Sequence, residues 1–199
     1  MILSDRDIKQ YIESGSIRID PFPDLDVALG SCSVDFRLGN TFMVFEHSSY
    51  SYIDPRQPQS IGEGMCTIEI GDEERFIMQA GRFRPQRQSR ASNSNDLVAR
   101  LEGRSSIARL GITVHSTAAV FEPGWVGTAT MELSNLGRMA VALYPGMRIC
   151  SFTFEQLSSP AEVPYRAKEG NKYAGQITLR GALSGEVSKL TRAELNGAE

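Results

Sequence analysis

The chain has 199 residues, 41% hydrophobic and 23% charged, with 21 Lys plus Arg against 24 Asp plus Glu and a formal net charge of -3. That length and apolar content suit one ordinary soluble domain and exclude a disordered chain, and the near-balance of charge gives no global drive toward nucleic acid, so a bound anion must be held locally. Three isolated cysteines (Cys32, Cys66, Cys150) and two histidines (His47, His115) supply no spacing that reads as a zinc site.

The N-terminus is polar and charged from Ser4 onward, unlike a signal peptide, and no apolar run approaches the roughly 18 residues that suggest a membrane span. The expected location is the cytoplasm, with free thiols and no membrane partner. Ser4 followed by Asp7 reads as a capping-box-like start, Leu3 and Ile8 as a hydrophobic staple, and Ile8, Tyr11 and Ile12 share one helical face. The pattern predicts a short opening helix that Gly15 ends, followed by an extended IRIDPF halted at Pro21 and Pro23.

Beyond this point strand patterns dominate. SVDFRLG alternates Val34, Phe36 and Leu38 against polar neighbours, and TFMVFE continues from Thr41. Similar stretches recur in MCTIEI, RFIM, GITVHS, GTATMELSN, MAVALY and RICSFTFEQL, with Gly, Pro or Asn between many of them. Many short strands and few helices predict a barrel or sandwich rather than a βαβ fold. LYPGMRI is predicted as a strand-turn-strand unit with Pro145 and Gly146 at the corner.

GRFRPQRQSRASNSN, residues 81–95, fits badly: it has four arginines, no acid, and little that is apolar besides Phe83 and Ala91. It predicts a solvated loop or irregular edge, with a basic interaction patch as the alternative; without aromatic stacking groups, nucleic-acid binding is not expected.

Three polar clusters could carry chemistry. In LEGRSSIARLG, a helical turn beginning at Ser105 or Ser106 would offer backbone N–H groups to an anion and bring Ser105 and Arg109, four apart, onto one face; a Ser cap beside a solvated Arg is the plain alternative. In HSTAAVFEPGWVGTATMELSN, Pro123-Gly124 marks a turn. Glu132 lies there between Met131 and Leu133, where partial enclosure can raise a carboxyl pKa toward neutrality, or its face is simply wet. Glu122 reads as a turn carboxylate, His115 as a structural histidine, and Trp125 as packing for a turn or interface. Lys172, Tyr173 and Gln176 form a donor-rich patch near the end.

The ordered set GRSSIARLG, HSTA, EPGW, MELSN, LYPGM, PY and KYAGQ, preceded by LSDRDI, IDPF and SVDFRLG, resembles the deoxycytidine triphosphate (dCTP) deaminases, a family related in fold to the trimeric dUTP pyrophosphatases. The resemblance covers most of the chain and implies a single domain, residues 1–199. Its implied fold is mainly β, a dUTPase-like distorted β-barrel (β-clip) with a short N-terminal helix and small helical turns. Residues 170–199 are the implied mobile segment that closes over the active site.

The resemblance further implies a homotrimer with active sites at subunit interfaces. The implied reaction is zinc-independent hydrolysis of dCTP to dUTP and ammonia, supplying dUTP for dUMP and dTTP synthesis, with magnesium carried on the nucleotide phosphates and dTTP a candidate inhibitor. Two alternatives stand beside it: a bifunctional enzyme giving dUMP and pyrophosphate, and a non-catalytic nucleotide-binding relative.

By the same resemblance Glu132 takes a proton from water for attack at cytosine C4 and returns protons to N3 and the leaving amine. Ser105, Arg109 and the Ala118 carbonyl position the water and the carboxylate. Arg104, Ser106, Tyr165, Lys172 and Gln176 are implied phosphate contacts, and Glu122, Trp125 and Thr130 further substrate contacts. The chain departs from the family in having Glu122 where Asp is usual, which extends the carboxylate by about 1.5 Å. It also has the small Ala119 after Ala118, where monofunctional members often have a larger residue and bifunctional members commonly a Gly, which leaves bifunctionality open, and the arginine-rich 81–95 in place of a GEFVLGSTLE-type strand; divergence and an altered reading frame are both compatible with the last.

Overall fold

Local chemistry accounts for the first elements. In the computed structural model, which describes residues 1–45, 52, 65–81, 83–171 and 173–175, with the backbone alone at 45 and 83–90, Ser4 caps α1 (Asp5–Glu13). The Ser4 hydroxyl accepts the Asp7 N–H at 3.4 Å and donates to Asp7 Oδ2 at 3.1 Å. Leu3 and Ile8 are both buried, as a staple requires, and Gly15 turns the chain at φ +76°. There follow β1 (Ile17–Asp20), α2 (Leu25–Ala28), β2 (Ser33–Arg37), β3 (Thr41–Phe45), β4 (Met65–Glu69), β5 (Phe76–Met78), β6 (Phe83–Asn93) and β7 (Leu97–Gly103). The short helix α3 (Ser105–Ala108) leads to β8 (Ile112–Thr113), β9 (Val120–Phe121), β10 (Val126–Asn135), β11 (Val141–Leu143), β12 (Arg148–Gln156) and a 3-10 turn (Tyr165–Ala167).

The strands pair antiparallel in three open sheets. One runs β4-β3-β6-β10-β8 with β1 also on β6, one runs β2-β12-β7-β9, and β11 pairs β5 alone. The expected mainly β character with small helices is therefore right, but the expected β-barrel is not: among the described residues no sheet closes or curls on itself. Closure would require the edges of one sheet to meet. Among the described residues β4 does not pair with β8, nor β2 with β9, and β8 and β9 are two residues each, too short to carry a ladder further.

Alternation buries the inner faces in one apolar cluster that draws on both larger sheets: Met131 and Leu133 of β10, Leu97 and Leu101 of β7, Phe152 and Phe154 of β12, Val34 and Phe36 of β2. Phe152 sits 4.6 Å from the Phe36 ring and 5.0 Å from Phe121. Full burial of each such side chain contributes about 1.5–3 kcal/mol.

Residues 83–93 overturn the loop or edge expected of the arginine-rich stretch. They form β6, which pairs β10 along one side and β1 and β3 along the other. Backbone N–H and C=O groups make those ladders, and the polar side-chain sequence does not report which partners the backbone has available. The LYPGMRI corner has its turn at Pro145-Gly146, with Gly146 at φ +79°, but it changes sheets: β11 pairs β5, whereas β12 pairs β2 and β7.

Candidate active site

On β10, Met131 and Leu133 point into the core, so Thr130, Glu132 and Ser134 share the opposite, partly exposed face. A register shift between Thr128 and Thr130 sets that phase. The Glu132 N–H donates to the Val114 carbonyl at 3.1 Å, and Glu132 Oε2 accepts the Ser116 N–H at 3.2 Å. One carboxylate oxygen is thus fixed by the loop after β8 while the residue keeps access to solvent. His115, between these two contacts, has an enclosed Nδ1 with no hydrogen-bond partner among the described residues.

Helix α3 begins at Ser105, and the Arg109 N–H donates to the Ser105 carbonyl at 3.1 Å, which gives the predicted four-residue spacing. Ser105, Ser106 and Arg109 are exposed. Past the helix, Gly111 adopts φ +86° and its carbonyl accepts the Leu136 N–H at 2.8 Å, so the end of α3 is fastened to the end of β10. Buried Asn135 secures the same corner, donating to the Met78 and Met139 carbonyls at 2.9 Å each and accepting the Gly137 N–H at 2.9 Å. Ala118 is exposed in the loop before β9, and the Ala119 carbonyl accepts the Leu101 N–H at 2.9 Å. Among the described contacts, no hydrogen bond or ion pair joins Ser105 or Arg109 to Glu132 within the chain.

Arg104, immediately before α3, is paired with Asp35 of β2. Arg148 Nη1 reaches the same Asp35 Oδ2 at 3.3 Å and also donates to the Val27 carbonyl at 3.0 Å. Burial first, and then the neighbouring Arg148 charge, lower the Arg104 guanidinium below its ordinary pKa. Beneath the cluster, Cys150 is fully buried and its thiol is pushed up by desolvation, so it stays neutral.

Glu122, Trp125 and Tyr165 form a third group. Asn93 Nδ2 holds the turn from inside, donating to the Glu122 carbonyl at 3.2 Å and the Leu97 carbonyl at 2.6 Å. Trp125 is buried, edge-on to Phe121 at 4.7 Å, and lines with Phe36 and Phe154 an interior cavity of about 10 Å³, too small for more than one water. The chain after β12 straps across this turn. The Tyr165 N–H donates to the Pro123 carbonyl and the Gly175 N–H to the Val126 carbonyl, each at 2.8 Å, and Lys168 Nζ lies 3.2 Å from Glu122 Oε2. Lys172 and Gln176 lie outside the described residues, as do 177–199, so the closing segment is described only at 170, 171 and 173–175.

Gly124, at φ +73°, lets the strap approach: a Cβ there would lie 2.6 Å from Pro164 Cβ and 2.9 Å from Asn95 Oδ1. Gly124→Ala should therefore displace residues 164–175 and lower thermal stability by about 2 kcal/mol. Hydrogen exchange at the Tyr165 and Gly175 amides checks it, and unchanged protection at both would refute the strap.

Sequence reasoning missed Ser116, Asn93, Asp35, Arg148 and Lys168. Ser116 acts through its backbone N–H and Asn93 donates to backbone carbonyls, partners that no side-chain motif signals; Asp35 and Arg148 sat in strands read only for their alternation.

The family profile described as dCTP deaminase-like matches residues 2–157. The chain belongs to that family. A dCTP deaminase from Thermomicrobium roseum is 74% identical over 177 residues, 88% of this chain and 90% of the relative. A dUMP-forming dCTP deaminase from Dictyoglomus thermophilum is 50% identical over 177 residues, 88% of this chain and 91% of the relative. The 2'-deoxycytidine 5'-triphosphate deaminase of Agrobacterium tumefaciens superposes with a TM-score of 0.59 at 18% identity, over 77% of this chain and 46% of that one, a likeness of fold. This dCTP deaminase-like chain is thus an enzyme of the hydrolase class. The expectation that dUTP is the end product is corrected by the relatives: most of those compared, 43–50% identical, are dUMP-forming.

Proposed function

We propose that the protein converts dCTP and two waters to dUMP, pyrophosphate and ammonia, deaminating the base and then cleaving the α–β phosphate link. The observation that carries the deamination step is the Glu132 carboxylate, fixed through one oxygen by the Ser116 N–H and open to solvent on the outer face of β10. A carboxylate so held can take one proton from the water attacking C4 and pass it to N3, then carry the second water proton from the new C4 hydroxyl to the leaving amine as the C–N bond breaks, without a covalent intermediate. Ser105, Arg109 and the Ala118 carbonyl position that water. The dUMP-forming relatives support the second step, and the small Ala119 agrees with it.

Arg104, Ser106 and Tyr165, with Lys172 and Gln176, are proposed to hold the triphosphate, and Glu122, Trp125 and Thr130 the rest of the nucleotide. Magnesium would arrive on the phosphates. Among the described residues no group of three or more His, Cys, Asp and Glu could hold a metal, and Asp35, the carboxylate beside Arg104, is taken up by two arginines. A homotrimer whose site is completed by a neighbouring subunit belongs to this reading. It is supported by the exposed apolar side chains Leu110, Leu136 and Met139 around the corner between α3 and the end of β10.

Incubation of the purified protein with dCTP and magnesium tests the reading. Ammonia, dUMP and pyrophosphate are expected in equal amounts. Accumulation of dUTP with no pyrophosphate would remove the second step, and tight nucleotide binding with no product would remove catalysis. A mass of three subunits in solution is expected alongside.

A further inference from the structure

Resting on the phosphate reading of Arg104, we infer that Arg148 and Asp35 are positioning residues of the polyphosphate subsite, set so that Arg104 keeps an uncompensated positive charge for the nucleotide. Both arginines reach one oxygen, Asp35 Oδ2. Asp35 is the more enclosed partner, its side chain 14% exposed, against 25% for Arg104 and 40% for Arg148. One carboxylate charge cannot neutralise two guanidiniums, and the excess falls on the pair that faces outward.

The surrounding strands keep this sign. Arg37 stands opposite Arg148 across β2 and β12 and donates to the Gly146 carbonyl at 2.7 Å. Ser151 stands opposite both Asp35 and Glu102, so Glu102 is the carboxylate on this face level with Asp35. Arg100 and Glu155, further along this face, pair with each other and cancel, so the remaining three arginines against two carboxylates leave one net positive charge; Cys150 below adds none, being held neutral by burial. Without Arg148, Asp35 would pair with Arg104 alone and the patch would fall to neutral. Arg148 also ties the cluster to the Val27 carbonyl, which fixes the height at which Asp35 presents Arg104.

Because the excess charge acts on the phosphate chain, its loss should scale with the number of phosphates. Arg148→Leu is expected to raise the KM for dCTP about tenfold with kcat nearly unchanged, to weaken binding of inorganic tripolyphosphate by a similar factor, and to leave dCMP binding within about twofold. The losses should shrink at high salt, and Arg148→Lys should restore most of the affinity. Calorimetric titration of folded Arg148→Leu, Arg148→Lys and Arg104→Leu trimers with tripolyphosphate and with dCMP decides it. If Arg104→Leu weakens tripolyphosphate and Arg148→Leu does not, or if Arg148→Leu weakens dCMP equally, the inference falls while the phosphate reading of Arg104 stands. If Arg104→Leu changes nothing, that underlying reading falls as well.

Discussion

Glu132→Gln should lower kcat for ammonia release from dCTP by about 10²–10⁴-fold, with nucleotide affinity changed by less than about threefold. The amide keeps the length of the side chain and an acceptor for the Ser116 N–H, so the loop after β8 stays tied to β10. What it cannot do is take a proton from water and pass it on. Glu132→Asp separates geometry from chemistry: it retains the carboxylate but withdraws it from Ser116, and should lose activity while remaining able to titrate. Single-turnover measurements beside equilibrium binding of dCTP make the division. Equal losses in binding and in the chemical step for Glu132→Gln would assign the residue to ground-state binding and end its role as proton carrier.

The largest expected effect on stability is at Gly111, where Ala should cost about 3 kcal/mol, lowering the melting temperature by roughly 6–12 °C. Gly111 has φ +86°, and an added Cβ would lie 2.8 Å from the Gly137 nitrogen and 2.9 Å from Gly137 Cα. Both are backbone atoms, so no side-chain rotation relieves the contact. Gly146→Ala is the internal control: φ is +79° there, yet nothing lies within 4 Å of the added carbon, so only the left-handed conformation is penalised, by about 1–2 kcal/mol. Equal losses at the two sites would remove the close packing of the α3 corner against Gly137 from the account. Because Gly111 fastens α3 to β10, its Ala variant should also impair activity beyond the fraction unfolded.

Where the chemistry of an element is local, the residues themselves specify it. Ser4, Asp7, Leu3 and Ile8 sit within one helical turn of one another, and the cap and staple they predict are both present. The alternations in SVDFRLG and MELSN likewise predict which side chains are buried. The same alternation says nothing of sheet closure, which depends on which edges meet, so a barrel was expected where open sheets stand. The arginine-rich 83–93 shows the limit most sharply: its side chains argue for a loop, and its backbone pairs on both sides.

The candidate site divides the same way. Glu132, Ser105 and Arg109 could be named from motif and spacing, because their chemistry resides in the side chains. That Ser116 holds Glu132, that Asn93 holds the Glu122 turn, and that Lys168 meets Glu122 follow from contacts 16, 29 and 46 residues apart.

The modest net charge of -3 set by the sequence already required that any anion be held locally, and the arginines were countable there. Only the tertiary structure decided that Arg104 and Arg148 share Asp35, because β2, β12 and the end of β7 must first pair to bring Arg148, 113 positions from Asp35, onto the carboxylate that Arg104 also meets. Local propensity acts over one turn or one strand, whereas the field at a site is the sum of whatever charges the fold gathers there.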